Sequence, residues 1–193
     1  MAVHEKIGMP LDEFIELSND HPFELINGER IPRLPTVGGH NYIIHVIYQF
    51  LLAHLVLHKP GQCFIEATYV LPDHYDSNWV IGSRIPDLLF ISQERWATYI
   101  EANTDWREKP YLFIPDLVIE VVSPTDKYTK VDEKVDAYLA DGVRLILVVD
   151  PQRRKAIVYS PDAEQPLHLS GDAKIDFSDV IPDFQMTLSK LFE

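Results

Sequence analysis

The chain has 193 residues, 46% apolar and 24% charged, a composition and length that suit one soluble globular domain. A single cysteine, Cys63, excludes an internal disulfide framework and a cysteine-based zinc cluster. Asp and Glu outnumber Lys and Arg by 30 to 17, and the net charge of −13 repels polyanions. That excludes a general DNA-coating role, yet leaves room for an acidic site where bound divalent cations reverse the local sign.

No stretch reads as long and apolar enough to span a bilayer, and Met1–Lys6 lacks the apolar core of a signal peptide. A cytoplasmic protein with no membrane partner is expected. In chain order, Pro10 to Leu17 reads as a first helix. Phe23-Glu24-Leu25-Ile26, Asn27-Gly28 and Glu29-Arg30-Ile31 read as a hairpin with a tight turn. A long apolar-periodic helix follows from about Asn41 to His58, stopped by Lys59-Pro60-Gly61. Cys63–Leu71 and Ile85–Ile91 read as strands, with the polar stretch Pro72–Gly82 as a loop between them. Ser92 to Pro110 holds a short helix and a mobile connection. Asp116–Val122 is a strand ended by Ser123-Pro124, and Thr125 or Asp126 caps a helix reaching Ala140, stopped by Asp141-Gly142. Arg144–Val149 and Ala156–Tyr159 are further strands, and Leu188–Phe192 closes as a short helix. This order implies an α/β layer with a mixed sheet between helices, in which the strands at 117–122 and 145–149 are central.

The chemistry centres on Glu120, which interrupts Leu117-Val118-Ile119 and Val121-Val122. A lone carboxylate there costs several kcal/mol in desolvation and needs a cation or a proton. The readings that stand are a protonated or salt-bridged core glutamate, a glutamate at the exposed end of the strand, or a functional carboxylate. Asp87, directly after Pro86 at the start of a strand, is either an exposed strand-end residue or a second ligand. Two carboxylates with no neighbouring Cys or paired His suit magnesium better than zinc. In the helix after Glu120, Val131, Val135, Tyr138 and Leu139 form an apolar stripe that Lys134 borders. Its ammonium either snorkels to water or turns toward Glu120.

These residues fall into a recognisable pattern. It comprises Arg84-Ile85-Pro86-Asp87-Leu88-Leu89-Phe90, then Pro115-Asp116-Leu117-Val118-Ile119-Glu120-Val121-Val122-Ser123-Pro124. Lys134 with Tyr138, Asp141-Gly142-Val143 and Val148-Val149-Asp150-Pro151 complete it. The chain resembles the Uma-two family of the PD-(D/E)xK restriction-endonuclease-like superfamily, over roughly Phe23 to Tyr159. The resemblance implies a restriction-endonuclease-like α/β fold, a central mixed β-sheet flanked by helices. It implies one domain over 1–193, with its core at about 23–160. It also implies a magnesium site, with manganese as a substitute, held by Asp87, Glu120 and the Val121 carbonyl. Glu24 matches an N-terminal acidic position of the family, and His40 matches a position where relatives carry histidine; a polar helix-end residue is the competing reading of His40. The superfamily places lysine two residues after the glutamate, where this chain has Val122, so the ammonium role falls to Lys134. Lys130 stands where relatives carry an acidic residue.

Other arrangements fit less well. His54 and His58 lack the glutamate and third ligand of a zinc protease, Ser123 has no nucleophile elbow, and no phosphate-cradling glycine motif is present. Arg153-Arg154-Lys155 and Lys127-Tyr128-Thr129-Lys130 are short basic patches, either solvated turns or phosphate contacts. The expected function is metal-dependent endonuclease cleavage of DNA by a homodimer. The competing reading is a binding or regulatory protein that kept the fold without efficient catalysis.

Overall fold

A computed structural model describes residues 7–73 and 76–193; Met1–Lys6 and, within the expected Pro72–Gly82 loop, His74 and Tyr75 lie outside the described residues. A two-residue strand, β1 (Met9–Pro10), leads into helix α1 (Leu11–Asp20), which buries Leu11 and Phe14. The hairpin follows as β2 (Phe23–Ile26) and β3 (Glu29–Pro32), with Glu24 paired to Ile31. Its turn puts Asn27 at φ 51° and Gly28 at φ 82°, the left-handed pair a tight two-residue hairpin requires. Helix α2 (Gly38–His58) then crosses the molecule and ends at Lys59, in the left-handed conformation.

Strands β4 (Gly61–Ile65), β5 (Tyr69–Asp73), β6 (Asp76–Arg84) and β7 (Leu88–Ser92) come next, then helix α3 (Gln93–Ala102). After a 3-10 turn at Trp106–Glu108 come β8 (Leu117–Val121), helix α4 (Tyr128–Asp141), β9 (Leu145–Asp150) and β10 (Lys155–Tyr159). Strands β11 (Leu167–Ser170), β12 (Lys174–Asp176) and β13 (Gln185–Thr187), with a 3-10 turn at Leu188–Phe192, complete the chain.

The main sheet runs β11-β10-β9-β8-β7-β4. Only β8 and β9 pair in parallel within it, so the sheet is mixed, as expected. Apolar side chains cover both of its faces. Leu117, Ile119 and Val121 of β8 pack with Ile43, Ile44, Ile47 and Leu51 of α2. Val118 and Val122 point the other way, into a cluster with Tyr99 of α3 and Val135 and Tyr138 of α4. A smaller sheet, β1-β6-β5, carries the N-terminal helix over Phe14, Phe23, Val70 and Val80.

Four sequence expectations are corrected. The run Cys63–Leu71 is two strands, because Glu66 turns to φ 49° and donates its backbone N–H to the Asp87 carbonyl at 3.0 Å. Most of the expected Pro72–Gly82 loop is β6, a long strand whose outer half is solvated and therefore polar. The helix after Glu120 is not capped by Thr125 or Asp126: its N-cap is Lys127, and Asp126 accepts the Ser123 N–H at 2.7 Å instead. Finally, α2 is 21 residues long with a mean hydropathy of 1.2, so by length and composition it is long and apolar enough to cross a membrane. Here its inner face packs on the sheet, while Tyr42, Leu52, Val56 and Leu57 are exposed.

Candidate active site

The strand register creates the site. Strands β7 and β8 pair antiparallel with Leu88 opposite Ile119, so one step further places Asp87 opposite Glu120. Pro86 and Asp87 end the connection from β6, and the Asp87 side chain reaches back to accept the Val121 N–H at 2.7 Å. The same oxygen, Oδ2, lies 3.1 Å from His40 Nε2, delivered by the first turn of α2. The other, Oδ1, accepts from Arg33 Nη2 at 3.2 Å. Asp87 and His40 are both buried.

Glu120 shares a sheet face with Val118 and Val122, so it points at α4. One turn apart on that helix, Lys134 and Tyr138 meet it. Lys134 Nζ lies 3.2 Å from Oε1 and 3.4 Å from Oε2, and the Tyr138 hydroxyl donates to Oε1. The sharper reading of Lys134, turned toward Glu120, therefore holds in the structure. Glu24 reaches the same place from β2. Its Oε1 accepts the Ile85 N–H at 2.9 Å, and its Oε2 lies 3.5 Å from Lys134 Nζ. The hairpin bearing Glu24 is tied to the end of β6, where the Leu25 N–H donates to Ser83 Oγ at 2.7 Å and Arg84 donates to the Leu25 carbonyl at 3.0 Å.

Sequence reasoning thus found five side chains that converge: Glu24, His40, Asp87, Glu120 and Lys134. It missed Arg33, which bridges Asp87, Glu66 at 2.9 Å and the Ile85 carbonyl. Arg33 follows Pro32 in an aperiodic segment, and its partners are far away in sequence, so no local pattern marks it. Tyr138 was visible only as a member of an apolar stripe; its hydroxyl contact depends on tertiary placement.

The electrostatics follow from three carboxylates packed together. Burial pushes the Glu120 carboxyl up to about 7, and neighbouring Asp87 and Glu24 add to the rise, while Lys134 and the Tyr138 hydroxyl oppose it. Burial alone would lower the Lys134 ammonium, but Glu120, Glu24 and Asp87 outweigh it and keep the group charged. His40 and Arg33 behave likewise, burial working against the charge and Asp87 restoring it beyond the ordinary value.

Among the described residues, no three His, Cys, Asp or Glu side chains form a ready metal cage. The donor set instead fits a hydrated ion that takes one or two carboxylates. Each carboxylate oxygen has about two lone-pair directions. Among the described residues, Asp87 Oδ2 and Glu120 Oε1 each engage two partners, whereas Asp87 Oδ1 and Glu120 Oε2 each engage one and leave one direction open. Beside Glu120 lies a cavity of about 510 Å³, lined by Glu120, Val121, Val122, Lys130 and Lys134 and by Ile26 and Ile31 of the hairpin.

The arrangement can be set against known proteins. A family model, Uma2, described as "Putative restriction endonuclease", matches residues 11–189. The chain belongs to the Uma2 family. Comparison of this Uma2 chain with curated proteins gives no match. Among solved structures it is similar to the crystal structure of a "putative nuclease belonging to DUF820" from Anabaena variabilis ATCC 29413. The TM-score is 0.75 at 21% sequence identity, covering 95% of this chain and 97% of that one. The likeness bears out the mixed α/β fold with a central sheet flanked by helices.

Proposed function

We propose that this Uma2 protein is a metal-dependent endonuclease that hydrolyses DNA phosphodiester bonds at the Asp87–Glu120 site. The observation that carries this reading is the convergence of Asp87, Glu120 and Lys134, from three separate elements, at one end of a nuclease-type sheet. Restriction-endonuclease-like proteins usually depend on a metal, which agrees with the open lone pairs on the two carboxylates.

Asp87, Glu120 and the Val121 carbonyl would hold magnesium, with manganese as its substitute. Such an ion supplies Lewis acidity to a phosphate and to water. The chain's own groups do the rest. Arg33, His40 and the Val121 N–H fix the Asp87 carboxylate in one orientation, and Tyr138 does the same for Glu120. Lys134 holds a permanent positive charge at the carboxylates, placed to offset negative charge that develops on the phosphate in the transition state. Its backbone position differs from the superfamily lysine, which Val122 replaces, but its ammonium reaches Glu120 from α4.

Nicking of supercoiled plasmid tests the reading. Wild type is expected to nick in magnesium or manganese and not in chelator, and Asp87→Ala is expected to lose about 100-fold or more of the rate. Equal nicking by wild type and Asp87→Ala would remove the site as the source of cleavage. A wild type that nicks in neither metal would favour a binding protein on a nuclease fold.

A further inference from the structure

The two short basic segments, distant in sequence, meet in space. Lys127–Lys130 spans the N-cap and first turn of α4, and Arg153–Lys155 spans the end of the β9–β10 turn and the first residue of β10. The Arg153 guanidinium sits over the Tyr128 ring, 4.6 Å from its centroid, and the Tyr128 hydroxyl donates to Asp150 at the end of β9. Tyr128, Asp150, Arg153 and Lys155 line a pocket of about 350 Å³ together with Val122 and His168. Val122 also lines the cavity that contains Glu120, Lys130 and Lys134. The two hollows therefore share Val122, two residues after Glu120, in their walls.

Lys127, Lys130, Arg153, Arg154 and Lys155 are five of the 17 basic residues in a chain of net charge −13, and all five are exposed. Lys130 pairs with Glu133 at 2.6 Å, and Arg153 lies 3.8 Å from Asp150. Among the described residues, Lys127, Arg154 and Lys155 form no ion pair; Arg154 lies over the Phe192 ring. Such a cluster works against the repulsion that the rest of the surface imposes on a polyanion. Its spread suits a partner with regularly repeated charge, since a single small anion would leave most of the cations unmatched. A guanidinium held flat on an aromatic ring also keeps its N–H fork presented at low entropic cost.

We propose that this strip binds the phosphodiester backbone of the nucleic acid to one side of the scissile phosphate. Arg153 is braced by Tyr128, and Lys127, Arg154 and Lys155 neutralise successive phosphates. The proposal rests on the reading of Asp87 and Glu120 as a nuclease site, and it can be tested apart from it by measuring binding without cleavage.

The probe is a fluorescein-labelled DNA duplex titrated with protein in chelator, followed by anisotropy, over a range of about 50 to 200 mM salt. Wild type is compared with Lys127→Glu/Arg154→Glu/Lys155→Glu. The control is an equal charge reversal elsewhere on the surface, Arg107→Glu/Lys174→Glu/Lys190→Glu. The strip variant is expected to bind about tenfold or more weaker than the control. Its slope of log affinity against log salt is expected to shrink by about 0.9 for each phosphate that is no longer neutralised. Equal affinity and slope in the two variants overturns the proposal, as does a wild type that fails to bind the duplex. Weakened binding by the strip variant in a protein that never nicks supports the strip and counts against the catalytic reading alone.

Discussion

Burial makes the Glu120 carboxylate costly to charge, and its surroundings define how it should respond to pH. Burial, Asp87 and Glu24 move its carboxyl from the ordinary 4.5 to about 7. In the metal-free protein the protonated form is the favoured one in the fold. Its contribution to stability is full below about 4.5 and is lost as pH rises through about 7. A divalent ion needs the carboxylate, so metal affinity should run the opposite way, rising with pH and levelling off above about 7. Lys134 pulls the Glu120 carboxyl down, so Lys134→Ala should move the midpoint of the metal-affinity profile to higher pH. The same change should lower nicking by about 100- to 1,000-fold. Metal titrations across pH check the first part; a midpoint that stays put or falls would show that Lys134 does not act on Glu120.

At this scale the sequence was informative where a residue broke its local pattern. Glu120 interrupts an apolar strand, and Lys134 borders an apolar stripe, so each is visible from its neighbours alone. Asp87 breaks no pattern: its place after Pro86 at a strand start marked it, and the family resemblance gave it most of its weight, while Glu24 and His40 came into view through the resemblance alone. Arg33 is absent from both kinds of signal, because what gives it meaning is the distant pair Glu66 and Asp87.

Among the elements, the edge strand β4 illustrates how tightly the frame behind the site is built. Gly61 pairs with Ser92, and a Cβ added there would come 2.1 Å from the Ile91 carbonyl oxygen and 2.6 Å from the Phe90 ring. Gly61→Ala must therefore push backbone apart, and it should cost about 1–3 kcal/mol. Urea unfolding reads this as a lower midpoint with an unchanged slope; an unchanged midpoint would mean that the β4–β7 edge yields freely. Elements with strong periodicity, such as α2, α4, β8 and β9, were legible in the sequence to within a few residues. Strand β6 was not, because its outer half is solvated and its polar composition copies that of a loop. The break between β4 and β5 was hidden for a different reason: Glu66 adopts φ 49° through the Glu66–Asp87 backbone hydrogen bond, which only the folded chain supplies.

Viewed as a whole, the molecule distributes its charges unevenly. The chain is strongly acidic, yet a concentrated basic strip lies next to the hollow that contains Glu120 and Lys134. The three nearby carboxylates Glu24, Asp87 and Glu120 face two fixed cations, Arg33 and Lys134, and one histidine whose charged form Asp87 favours. With His40 protonated these charges balance, so the site draws an added divalent ion through the open carboxylate oxygens and not through a net negative charge, and the ion should stabilise the fold through binding. The nuclease reading depends on that ion being held at Asp87 and Glu120. The most direct measurement is a manganese titration above pH 8, reading free ion by its paramagnetic resonance signal, for wild type, Asp87→Asn and Glu120→Gln. Wild type is predicted to take up an ion that both variants release, over a background of weak surface binding common to all three. Identical uptake curves for the three proteins would contradict the account.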